Sequence, residues 1–156
     1  YCLASALRRY QYDLPAWVQH GISHLMERRE FTGYTTYIFG EGRAPKTRAI
    51  KNWKPYVRKL VEKKKSPPFA EYMALEGDNG IPWNHHPIAW SMMSYLMQRD
   101  QKATGRFLDI MKQKNTANRE NVRQLLQRAL KASHKLSPLQ LEESWKAWVL
   151  ETYPAF

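Results

Sequence analysis

Hydrophobic residues recur at helical rather than strand spacing along most of this chain, and the polar interruptions between them mark the element boundaries. Leu3, Ala4, Leu7 and Tyr10 predict a short helix over residues 1–11, ending before Asp13-Leu14-Pro15, with Asp13 placed to cap the next one. A second helix is predicted from about Pro15 to about Arg29, with Trp17, Ile22, Leu25 and Met26 as its buried face. Between residues 31 and 45 the pattern changes: Phe31, Tyr34, Tyr37 and Phe39 alternate with threonines and Gly33, Gly40 and Gly42, which fits a long loop or a small β element. From Asn52, Tyr56, Val57, Leu60 and Val61 form a narrow apolar stripe that Ser66-Pro67-Pro68 stops. A short helix over about Phe69 to Leu75 leads into the turn-forming run Glu76-Gly77-Asp78-Asn79-Gly80.

The segment from Pro87 to Gln98 is apolar nearly all round and so predicts a buried helix. Two amphipathic helices follow, one around Ala103 to Lys112 with Phe107, Leu108 and Met111, and one around Asn118 to Ala132 with Val122, Leu125, Leu126, Ala129 and Leu130. The last helix has the strongest start signal in the chain: Ser137 as N-cap, Pro138 at the first helical position and Gln140 to complete a capping box. Leu141, Trp145, Trp148 and Val149 make its inner face, and Tyr153-Pro154 ends it. The class expected is mainly α, a single globular helical domain of about seven helices with one small β element near 31–45.

A chain of 156 residues can withdraw roughly 70% of its unfolded surface from water, so it needs no staple to fold. No apolar run approaches the roughly 18 residues of a membrane span. Cys2 is the only cysteine, which excludes an intrachain disulfide and a thiolate zinc site. Tyr1 stands where an initiating methionine would, so the chain reads as part of a longer or processed protein. The net charge of +11 is uneven: residues 41–65 hold ten Lys or Arg against Glu41 and Glu62. Arg43, Lys46, Arg48, Lys51, Lys54, Arg58, Lys59, Lys63, Lys64 and Lys65 are therefore candidates for an anionic partner, with Trp53 and Tyr56 beside them able to stack on bases. A solvated helix face explains the same residues.

Candidate chemistry concentrates in Leu14 to Glu27, where His20 and His24 lie four residues apart on one helix face. Imidazole nitrogen is a good zinc donor, and His85 or His86 could add a third ligand. A His-Glu-x-x-His zinc helix needs glutamate after its first histidine, and Gly21 stands there. Hydrogen-bonded, semi-buried histidines are the plainer reading of the same residues.

The order of these pieces resembles the peptidase-MA-like domains, gluzincin-type zinc peptidases, over nearly the whole chain. Leu14-Pro15-Ala16-Trp17-Val18-Gln19-His20-Gly21-Ile22-Ser23-His24-Leu25 resembles the family's Leu-Pro-x-Trp-Leu-x-Glu-Gly-Leu-Ala-Glu-Tyr, whose first glutamate is the third zinc ligand. His20 takes that glutamate's place, and His24 stands at the second glutamate. Tyr1-Cys2-Leu3-Ala4-Ser5-Ala6-Leu7 looks like a worn His-Glu-Leu-Ala-His-Ala-Leu; Lys59 to Phe69 resembles the family's basic segment with a Pro-Pro break. His86-Pro87-Ile88-Ala89-Trp90 is similar to its Tyr-x-x-x-Trp helix, and Leu141 to Trp148 to its closing helix.

The resemblance implies the C-terminal helical part of a gluzincin-like fold in which the zinc ligands and the base have been replaced. The function it implies is a catalytically inactive pseudo-peptidase domain. Such a domain would need no cofactor and would bind a protein or peptide partner through a cleft lined by His20, His24 and His86, with Trp17 and Trp90 near it. Two alternatives stand beside it. One is a zinc metallopeptidase whose His-Glu-x-x-His lies upstream, or whose site is rebuilt from histidines. The other is an anion-binding or nucleic-acid-binding module using the 43–65 basic segment.

Overall fold

The computed structural model describes residues 14–30, 37–38, 42–43, 52–72, 81–112 and 121–155. Seven α-helices occur among them: α1 (Ala16–Glu30), α2 (Trp53–Glu62), α3 (Phe69–Tyr72), α4 (His86–Arg99), α5 (Gln101–Lys112), α6 (Val122–His134) and α7 (Pro138–Thr152). A short 3-10 turn, Trp83–His85, leads into α4. The β element expected near 31–45 is a two-residue antiparallel ladder, with Tyr37 opposite Arg43 and Ile38 opposite Gly42. The helix expected over residues 1–11, the Asp13 cap and the 76–80 turn lie outside the described residues. So do Tyr1, Cys2, Ser5, Lys46, Arg48 and Lys51.

Helix α4 is the hub, because its sequence offers almost no polar face. Pro87, Ile88, Ala89, Trp90, Met92, Met93, Tyr95 and Leu96 are all buried. It packs most extensively against α1 and also touches α2, α5 and α7. Burying apolar surface on several sides of one helix is what joins these elements into a single helical domain. On α1, Trp17 and Ile22 are buried as expected while Leu25 and Met26 are partly buried against the core. Trp17 meets the edge of Phe69 at 5.2 Å and lies 6.4 Å from Phe107.

The amphipathic pair α5 and α6 forms a second seam, with Ala103, Phe107 and Met111 facing inward on one helix and Leu125, Leu126, Ala129 and Leu130 on the other. Asp100 closes α4 and opens α5: its carboxylate accepts from the Ala103 amide at 2.9 Å, and that bond holds the carboxyl below its usual range. Helix α6 starts later than the pattern predicts. Asn121 is its N-cap, accepting from the Gln124 amide at 2.8 Å while its own amide donates back to Gln124. The predicted box on α7 is present: the Gln140 amide donates to Ser137 Oγ and the Ser137 amide to Gln140 Oε1. Trp145 then donates its indole N–H to Ser91 Oγ at 2.9 Å, tying α7 to the hub.

Candidate metal centre

Helices α1 and α4 approach so closely at Gly21 that a Cβ there would lie 2.5 Å from Met93 Cγ and 2.6 Å from the Ala89 carbonyl oxygen. Glycine is required by that approach rather than by its backbone freedom. The consequence for chemistry is direct. Position 21 faces the backbone of α4, so a glutamate could not be accommodated there, and this helix cannot be a His-Glu-x-x-His zinc helix missing one side chain.

The same approach brings three imidazoles together. His20 and His24 come from adjacent turns of α1, and His86 from the first turn of α4. One ligand nitrogen from each lies within 4.8 Å of the others. His24 Nε2 and His86 Nδ1 are 2.8 Å apart, and His24 Nδ1 is 3.0 Å from Glu27 Oε2. A carboxylate only accepts, so His24 Nδ1 carries a proton and donates to Glu27. For a neutral His24 the Nε2 atom is then bare and accepts from His86 Nδ1–H; these tautomers follow from the hydrogen-bond network. The His20 ring is half-buried, with its centroid 4.5 Å from that of His86 and 6.4 Å from that of His24.

Burial pushes the His86 pKa down to about 2, aided by His20 and His24 beside it and opposed by a hydrogen bond to the Ile81 backbone. A neutral ring keeps a lone pair available, which is the state a metal ligand needs. Two imidazole nitrogens on one tetrahedral zinc stand about 3.3 Å apart. The present separations therefore bracket that value, and an ion would take the place of the proton shared by His24 and His86.

The surroundings are aromatic. Trp53 meets the His24 ring edge-on at 5.1 Å, and Trp90 meets Trp53 at 5.6 Å. The Arg28 guanidinium is stacked on both indoles, 4.8 Å from the Trp53 centroid and 4.6 Å from that of Trp90. Sequence reasoning missed Glu27 and Arg28, although their spacing was available: they follow His24 by three and four residues and so share its face.

Several expectations are corrected by this arrangement. Trp17 belongs to the core against Phe69 and Phe107, because its large ring is best buried where α1 meets other helices. Trp53 is buried beside His24, so it is not an exposed platform for bases. His85 does not join the cluster; it ends the 3-10 turn just before α4, and its ring lies 5.9 Å from Tyr72. Of the basic candidates, Arg58 pairs with Glu62 and donates to the Leu150 and Tyr153 carbonyls, which caps α7. Lys54 lies 5.8 Å over the Tyr153 ring. Lys59, Lys63, Lys64 and Lys65 are exposed, and Arg43 is placed only by its backbone in the two-residue ladder. No helix among the described residues is long and apolar enough to cross a membrane. No protein-family model, curated protein or solved structure matches the chain.

Proposed function

We propose that this chain is a metal-binding helical domain that holds one first-row transition-metal cation, of the zinc or copper class, on His20, His24 and His86. The observation that carries the reading is the convergence of three imidazole nitrogens within 4.8 Å, one of whose rings is already buttressed by Glu27. A ligand histidine that donates its other N–H to a carboxylate has its tautomer fixed and its basicity raised. Three histidines leave a fourth position for water or another ligand.

The reading does not extend to hydrolysis. Peptide hydrolysis of the gluzincin kind needs a glutamate base beside the metal-bound water, and Glu27 instead accepts from His24 Nδ1. The gluzincin resemblance fits a non-catalytic binding domain in which His20, at the family's third-ligand position, supports a different ligand set.

Titration of the chelator-free protein with Zn(II) or Cu(II), followed by calorimetry, tests the proposal. One ion per chain is expected, with affinity lost in His20→Ala and His24→Ala. Equal affinity in those variants would overturn it. Hydrolysis of an unstructured peptide pool that stops on chelation would overturn the non-hydrolytic part.

A further inference from the structure

The histidine cluster is one end of a continuous column of aromatic rings. From His24 the column passes to Trp53 at 5.1 Å, to Trp90 at 5.6 Å, to Tyr153 at 6.1 Å and to Trp148 at 5.0 Å. These residues come from four helices and the end of α7, so no single periodicity aligns them. Trp53, Trp90 and Tyr153 are buried, while Trp148 is only partly buried. Rings in such close succession lie within the reach of electron tunnelling, and indole and phenol are the side chains most easily oxidised by one electron without cleavage.

We propose that this column is an electron relay that draws oxidising equivalents away from a redox-active metal on His20, His24 and His86 and discharges them at Trp148. The proposal rests on the metal-binding reading and adds copper as the metal and peroxide as the class of oxidant. Hydrogen peroxide takes up two electrons and two protons to give two waters. One electron comes from copper(I), which becomes copper(II). The other comes through the column from Trp148, whose indole N–H supplies one proton and leaves a neutral indolyl radical; solvent supplies the second proton.

Charge sets the direction. Arg28 stacks on both Trp53 and Trp90, and Lys54 lies over Tyr153. A fixed cation beside a ring disfavours a second positive charge on it, so Trp53, Trp90 and Tyr153 hold an electron vacancy only briefly and pass it on toward the end of the column. Tyr153 shares a hydrogen bond with Ser91 Oγ at 2.9 Å, and Ser91 also accepts from Trp145, so the phenol has no strong base to take its proton. Trp148 reaches solvent, where the indole proton can leave. The next ring, Tyr95 at 5.5 Å, has its phenol oxygen accepting from the Arg99 guanidinium, a cation that disfavours a vacancy there, so Trp148 is the terminus. The column would protect the metal-ligating histidines, which are otherwise the first groups in reach of an oxidant generated at the ion.

The test uses the full chain loaded with copper(I), treated with hydrogen peroxide, and read by freeze-quench electron paramagnetic resonance and by peptide mapping of oxidised residues. Wild type should show an indolyl radical and oxidation concentrated at Trp148. Trp90→Phe keeps an aromatic ring of similar shape but raises the oxidation potential in mid-column. It should lower Trp148 oxidation several-fold and raise oxidation of His20, His24 and His86. Trp148→Phe, at the partly buried end of the column and conservative in shape, should abolish the radical and also raise histidine oxidation. Equal Trp148 oxidation in wild type and Trp90→Phe would overturn the relay, since it would mean attack from solvent. Failure to bind copper in the initial titration would overturn the metal reading and the relay together; binding with unchanged oxidation maps would overturn the relay alone.

Discussion

Two buried seams of this protein contain histidine, and they use it differently. Between α1 and α4, His24 is bonded to His86 and to Glu27, and His20 closes on the same point. Between α5 and α6, His134 is bonded at one nitrogen to Thr104 Oγ1 at 3.3 Å and sits 6.5 Å from the Phe107 ring, while its buried Nδ1 has no hydrogen-bond partner among the described residues. Both rings are withdrawn from water to a similar degree. Burial of a histidine therefore does not mark a site. What distinguishes the first seam is that several nitrogens share one focus and that a carboxylate fixes the tautomer of the middle ring.

The sharpest way to break this comparison is to remove one histidine from each seam. His24→Ala should lower Zn(II) or Cu(II) affinity by about 100-fold or more, because a lost ligand also releases the Glu27 buttress, which itself accounts for about 10–100-fold. His134→Ala should leave that affinity unchanged; competition titration with a chromophoric chelator reads both. A parallel effect of the two substitutions would erase the distinction.

Glycine offers the next contrast. Gly21→Ala forces a methyl group against Met93 and the Ala89 carbonyl, and overpacking of that kind costs about 1–3 kcal/mol. Gly105, on the exposed face of α5, has nothing among the described residues within 4 Å of an added Cβ. Gly105→Ala should stabilise by about 0.5–1 kcal/mol, since alanine is the better helix former. Urea midpoints at constant m-value measure both, and the signs should be opposite.

Glu27→Gln refines the metal reading. The amide keeps the size of the side chain but loses its charge and can present an N–H to His24, so metal affinity should fall about tenfold or more while the urea midpoint moves little. A large loss of stability without a change in affinity would assign Glu27 to packing.

The smallest expected effect is the pH dependence from His134. Burial holds its pKa below the ordinary 6.5, helped by Arg99 and Arg106 and opposed by Asp100. The unfolded chain therefore takes up a proton first as pH falls. The stability of the neutral ring is complete above about pH 6.5 and is lost progressively below it, down to the folded-state pKa. His134→Gln should reduce that acid-side slope in urea titrations, leaving the part due to the buried His86; an unchanged slope would place the dependence on other groups.

Much of the fold was legible in the chain. Helix α7 follows from Ser137, Pro138 and Gln140, whose capping bonds are local and need no partner element. Helix α4 follows from a run too apolar to face water. The observed start of α6 falls after the expected one near Asn118, because the reciprocal bonds between Asn121 and Gln124 set the N-cap at Asn121. The basic run was legible as charge but not as structure: Arg58 lies in it beside Lys59, yet it is used to cap α7, a helix about 90 residues later in the chain.

The histidines show where local reading ends. That His20 and His24 share a face is fixed by the 3.6-residue period of a helix, and so is the place of Glu27 and Arg28 beside them. Which of His85 and His86 joins them depends on how α4 is turned about its axis, and that is decided by the burial of Ile88, Met92 and Met93 and by the space left at Gly21. A rotation of about 100° separates neighbouring residues on a helix, so the packing of apolar side chains elsewhere on α4 selects His86 for the cluster and turns His85 toward Tyr72. The sequence supplied the ligand types and their spacing. Convergence of the three nitrogens, and the column of rings behind them, came only from the way the helices pack.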